Sequence, residues 1–139
     1  MNNSKNNFSL SLEELEKDYW KDPVNFSTGL VERCFNYRKI PLQRLTIEQL
    51  RTLIGQNIGL KFLIPLASEK LKENILAEGD FYAGDLLNAI ITSDVDFWKS
   101  NPILYKEIIQ LIKQNSDKLV QNISIRQFHS DVFAFQTIL

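Results

Sequence analysis

The 139-residue chain has a single cysteine, Cys34, and a single histidine, His129. One thiol cannot close an internal disulfide, and one thiol with one imidazole falls short of the ligand sets that hold structural zinc or an iron–sulfur cluster. No metal and no other cofactor is expected. A histidine pair for acid–base catalysis is missing as well. Neither sign of charge is in excess: 16 basic residues stand against 17 acidic ones, for a net charge of -1, so bulk charge supplies no attraction to a nucleic-acid backbone. Long apolar runs are also lacking. The longest, Phe62-Leu-Ile-Pro-Leu-Ala67, is far below the roughly 20 residues that span a bilayer. The asparagine-rich start, Met1 to Asn7, leads into Glu13, Glu14 and Glu16 instead of an apolar signal segment. The expectation is a cytoplasmic protein that enters no membrane.

A composition of 44% hydrophobic and 24% charged residues is that of a globular chain, and the length suits one domain. Residues 1–10 read as a mobile N-terminal segment and 11–139 as one helical domain, with order starting near Phe8. Ser11-Leu-Glu-Glu14 has capping-box spacing and predicts a helix with Leu12, Leu15 and Tyr19 or Trp20 on one face, ended by Asp22-Pro23. Leu30, Val31, Cys34 and Phe35 predict a second helix over 28–39. A second capping box, Thr46-Ile-Glu-Gln49, opens a third, with Ile47, Leu50, Leu53 and Ile54 inward and Gly55 placed to end it in the left-handed conformation. The pattern over 60–72 is helical but holds Pro65, which predicts a kink or a fresh start. Further helices are expected from Gly84 to Ile91, after a cap at Ser93 or Asp94, and from Asn101-Pro102 through Lys113. In the tail Ile123-Ser-Ile125 alternates like a strand, whereas Phe128, Val132, Phe133 and Phe135 fit a helix, which is the preferred reading. No Asn-Gly or Asp-Gly hairpin signal occurs. The fold class is therefore all-α, a compact bundle of about six to eight short helices. One internal echo, Asp18-Tyr-Trp-Lys-Asp-Pro23 against Asp96-Phe-Trp-Lys-Ser-Asn-Pro102, is either a weak repeat or coincidence.

Candidate chemistry is sparse. Gly55-Gln-Asn-Ile-Gly59-Leu-Lys61 resembles a phosphate loop but has three residues between its glycines, and Leu60 separates Gly59 from Lys61. Two helix ends are the better reading. Glu78-Gly-Asp-Phe-Tyr-Ala-Gly-Asp85 is the most site-like stretch, with three carboxylates and two aromatics in eight residues. It reads either as structure, with Asp80 or Asp85 capping a helix and Phe81 and Tyr82 filling the core, or as a protein-binding rim. Paired-carboxylate catalysis and calcium binding are the weaker options. His129 beside Ser130 and Asp131 is no triad, which is a matter of spatial geometry, and Cys34 on an apolar stripe reads as an inert small hydrophobe. No catalytic residue and no metal ligand is assigned.

Charge is unevenly placed. Between Val31 and Arg51 five basic residues (Arg33, Arg38, Lys39, Arg44, Arg51) face two acidic ones, a balance of +3. Between Glu69 and Asp96 seven acidic residues face Lys70 and Lys72, a balance of -5. An acidic surface repels phosphate backbones and attracts basic partners.

Three segments, Leu45-Thr-Ile-Glu-Gln-Leu-Arg51, Ile54-Gly-Gln-Asn-Ile-Gly-Leu-Lys-Phe-Leu-Ile-Pro-Leu-Ala67 and Ala77-Glu-Gly-Asp-Phe-Tyr-Ala-Gly-Asp-Leu-Leu87, resemble the bacterial contact-dependent growth inhibition immunity proteins. The likeness extends loosely to Leu15–Trp20 and Asp96–Trp98 and covers about 12–105; Ala83 stands where that pattern has proline. The resemblance implies a small helical antitoxin, without catalysis, that binds the C-terminal toxin domain of a large delivery protein encoded beside it. Combined with the acidic stretch, it implies a basic, nuclease-like toxin, occluded by contacts from Glu69, Glu73, Glu78, Asp80, Tyr82, Asp85, Asp94 and Asp96. The expected partner is that protein domain, with no nucleic acid and no membrane, and the chain is expected as a monomer or weak dimer. A helical adaptor unrelated to toxin immunity is the alternative.

Overall fold

The computed structural model describes residues 8–22 and 25–139. Among them lie nine α-helices and no strand, only the isolated bridges Ser11–Pro41 and Glu78–Ala83. The all-α expectation holds. The helices are α1 (Leu12–Glu16), α2 (Gly29–Tyr37), α3 (Ile47–Gly55), α4 (Leu60–Glu73), α5 (Asp85–Ile91), α6 (Val95–Ser100), α7 (Pro102–Gln114), α8 (Ser116–Asn122) and α9 (Arg126–Gln136).

Both capping boxes form. Glu14 N–H donates to Ser11 Oγ (3.3 Å) while Ser11 N–H donates to Glu14 Oε1 (2.8 Å), and Thr46 and Gln49 exchange the same pair of bonds. Helix α1 nevertheless stops at Glu16, with Lys17 left-handed at φ 53°, well before the predicted stop. The reason is tertiary. Arg38, at the end of α2, donates to Glu16 Oε1 (2.9 Å) and to the Asp18 carbonyl (2.7 Å), and its guanidinium lies 4.2 Å from the Trp20 ring centroid. A continued helix would point that carbonyl elsewhere. Pro23, the expected stop, lies outside the described residues, as do residues 1–7. Within the first ten, the Phe8 and Leu10 carbonyls accept bonds from Gln43 and Leu42.

Gly55 does not take the left-handed position expected of it. Helix α3 runs through it, and Asn57 (φ 58°) makes the turn, with Ile58 N–H donating to the Leu53 carbonyl and Asn57 N–H to that of Ile54. The Asn57 side chain then accepts the Asp94 N–H at 2.8 Å, so a partner from α6 favours asparagine here. Gly59 (φ 63°) starts α4, where a Cβ would fall 2.6 Å from Leu12 Cδ2. Pro65 is exposed, and α4 continues through it as one α-helix.

The short helix α5 is the centre of the packing, with Leu86, Leu87 and Ile90 fully buried and α3, α4 and α9 around it. The tail is helical, as preferred, and Ile123-Ser-Ile125 is the link between α8 and α9. Phe128 and Phe135 are buried while Phe133 is exposed. The tryptophan echo proves superficial: Trp20 lies outside any helix and partly exposed, whereas Trp98 is in α6 and fully buried. No helix among the described residues is long and apolar enough to cross a membrane.

Candidate functional site

Two of the segments singled out in the sequence meet in space. Helix α3 carries Glu48 and Arg51 on successive turns, where residues three apart share a face. Arg51 Nε donates to Glu48 Oε1 at 2.7 Å and its Nη2 makes a very short bond to Glu48 Oε2, while Thr52 Oγ1 adds a weaker contact at 3.3 Å. Over this pair lies the loop joining α4 to α5. Its four successive N–H groups at 79–82 all end on carboxylates: Gly79 (2.7 Å), Phe81 (3.0 Å) and Tyr82 (3.4 Å) donate to Asp85, and Asp80 (2.8 Å) donates to Glu48. Gly79 allows this close approach, since a Cβ there would stand 2.4 Å from Glu48 Oε1. Gly84 turns the chain into α5 at φ 94°.

Asp85 is thereby buried (4% exposed) and acts on the loop from beneath, which leaves it no open surface for a partner. The core-filling role expected of Phe81 is corrected: Phe81 is 68% exposed, its ring held 4.3 Å from the Arg51 guanidinium. Tyr82 is the half-buried member of the pair. Burial raises its phenol pKa, and the carboxylates of Asp85 and Asp131 add to the rise. Sequence spacing offered no signal for telling these two aromatics apart, because both lie in an irregular loop where no helical period assigns faces.

The remaining acids are spread along the surface. Glu78 and Asp80 are exposed on the loop, Glu73 is exposed at the end of α4, and Glu69 pairs with Lys72 (3.0 Å), which also reaches Glu107 (3.1 Å). Asp94 caps α6 by accepting the Asp96 N–H at 3.2 Å. Asp94 and Asp96 border an open groove of about 700 Å³ with Glu16, Asn57, Lys61 and Phe97. Helix α4, about 21 Å long at 1.5 Å per residue, separates this groove from the Glu73 end. Among the described residues, Glu73, Glu78, Asp80, Asp94 and Asp96 form no ion pair.

The basic stretch makes no corresponding patch. Arg38 is buried, Lys39 pairs with Glu13 (3.3 Å) and Arg51 with Glu48, and among the described residues Arg33 and Arg44 form no ion pair. Cys34 is buried, and desolvation raises its thiol pKa against the opposing pull of Arg33. His129 Nε2 sits 2.7 Å from the Ile123 carbonyl, which can only accept, so that nitrogen carries the proton and fixes the link before α9. Among the described residues no three His, Cys, Asp or Glu converge to hold a metal ion.

The Glu48 carboxyl is held below its ordinary value of 4.5 chiefly by the Arg51 hydrogen bond, helped by the Asp80 N–H and opposed by burial. A depressed carboxyl stabilises the fold fully above its unfolded pKa and loses that contribution as pH falls through the folded value. The thermal midpoint should therefore drop on acidification below about pH 4.5, and Glu48→Gln should lower it at neutral pH and flatten the acid limb. Parallel limbs for the two proteins in a pH series of melting curves would remove Glu48 from this role.

The molecule is thus a helical scaffold that displays a stiffened acidic–aromatic loop. Residues 14–108, more than half of the chain, match the family model of CDI immunity proteins, and the chain belongs to that family. No curated protein and no solved structure matches it.

Proposed function

We propose that this chain acts in the cytoplasm as a monomer or weak dimer and neutralises, by occlusion and without turnover, the C-terminal toxin domain of a delivery protein encoded beside it. Family membership carries the immunity role. The observation supporting a basic, nuclease-like toxin is the exposed negative charge: Glu73, Glu78, Asp80, Asp94 and Asp96 are all exposed and none forms an ion pair among the described residues. Apart from Asp94, whose carboxylate caps α6, these side chains give up no ion pair found among the described residues when they meet a cationic cleft, and their field accelerates encounter. Glu69 and Tyr82 complete the contact surface, and Asp85 contributes by ordering the loop.

The test is association with the purified toxin domain. Glu73→Lys, Glu78→Lys and Asp96→Lys together spare Asp94, which caps α6. The triple variant should associate on the order of ten-fold more slowly at low salt and show a weaker salt dependence. Unchanged association kinetics in a correctly folded variant would place the interface elsewhere. Failure of the parent chain to bind or protect would overturn the immunity reading and leave the adaptor.

A further inference from the structure

We infer that Phe81 is the principal anchor of the complex, a preformed aromatic peg that enters an apolar pocket rimmed by lysine or arginine on the toxin domain. This inference rests on the toxin-binding reading above. Phe81 is 68% exposed, and what distinguishes it from the other exposed apolar side chains is the way the loop holds and surrounds it. Here one face is partly covered, by Arg51 at 4.3 Å, and the backbone beneath is held unusually well for a loop. The N–H groups of 79–82 are consumed by Asp85 and Glu48, and an isolated bridge pairs Glu78 with Ala83. Gly84 N–H closes the base by donating to the Leu76 carbonyl at 3.2 Å.

A side chain so presented loses little conformational freedom on binding, and that ordering cost is what most limits loop contacts. Binding energy at interfaces concentrates in a few such aromatic groups, surrounded by polar contacts that exclude water. The surroundings specify the pocket. Glu78 and Asp80, both exposed, are near neighbours of Phe81 in the loop, while Arg51 is already neutralised by Glu48. The peg therefore presents negative charge at its flanks, and the fitting receptor is apolar at the bottom and cationic at the rim. Other exposed apolar side chains, such as Ile103 on α7 and Phe133 on α9, lie on helix faces with no exposed acid within three positions of them in the chain.

The experiment measures binding of the full chain to the toxin domain encoded beside it, by surface-based kinetics, with a melting curve for every variant. Phe81→Ala should weaken binding by about 30-fold or more, chiefly through faster dissociation, with an unchanged thermal midpoint. Phe81→Trp should keep most of the affinity, and Asp80→Lys should slow association. Gly79→Ala, which displaces Glu48 while leaving Phe81 present, should also weaken binding. Parent-like affinity in Phe81→Ala, with the parent chain binding, would overturn the anchor and leave the immunity reading intact. No binding by the parent chain would overturn both.

Discussion

Replacing Trp98 by alanine is expected to cost about 3–5 kcal/mol, a large share of the 5–15 kcal/mol that holds a domain of this size. The indole is fully buried, with Phe97 at 5.1 Å, Phe135 at 5.1 Å and Tyr105 at 6.2 Å between ring centroids, all edge-on. Its Nε1–H donates to Ser93 Oγ at 3.0 Å, and that hydroxyl donates to the Ile90 carbonyl at 2.6 Å, so the ring joins the end of α5 to α6. Tyr105 seals the other side by donating to the Phe135 carbonyl at 2.6 Å. Truncation would open a cavity among three rings and leave the Ser93 hydroxyl without its donor. The thermal midpoint should fall by roughly 10–20 °C, read by circular dichroism at 222 nm. Trp98→Phe should lose less, because most of the apolar volume survives. A midpoint within a few degrees of the parent for Trp98→Ala would show that α9 does not depend on this cluster.

Arg38→Ala should cost about 2–4 kcal/mol and act locally. The guanidinium is 1% exposed, and its removal strips a donor from the Glu16 carboxylate and the Asp18 carbonyl while uncovering Trp20. Glu13 N–H still reaches the Arg38 carbonyl at 3.1 Å, so α1 stays attached while the stretch after it loosens. Trypsin should then cut after Lys17 or Lys21 well before it attacks α3 to α7. Arg38→Lys should recover only part of the loss, since an ammonium has no plane to stack on the indole. An unchanged cleavage rate together with an unchanged melting curve would refute the anchoring role.

Local signals and their structural outcomes agree where the determining interaction lies within a few residues. Ser11 and Thr46 cap their helices through bonds to Glu14 and Gln49, Pro102 opens α7 where its missing N–H is harmless, and Leu50, Leu53 and Ile54 face inward at helical period. Agreement fails where a distant partner decides. Asn57 takes the turn expected of Gly55, with Asp94 bonded to its side chain, and α1 ends early because Arg38 binds the chain beyond it.

The site follows the same division. Charge counting located the acidic stretch, and composition marked Glu78 to Asp85 as unusual, yet neither could separate Asp85, buried and holding three loop N–H groups, from the exposed Asp80 of the same loop. The amino-acid order by itself determined an all-α chain with its helix starts, its acidic middle and its scarcity of catalytic and metal-binding side chains. The tertiary structure alone decided which charges are free and which aromatic faces water. Those outcomes depend on Glu48 and Arg51 of α3 meeting Asp85 of α5 beneath one loop, and the partners that join the two helices, Asp80 with Glu48 and Arg51 with Asp85, are more than 30 positions apart and leave no periodic trace along the chain.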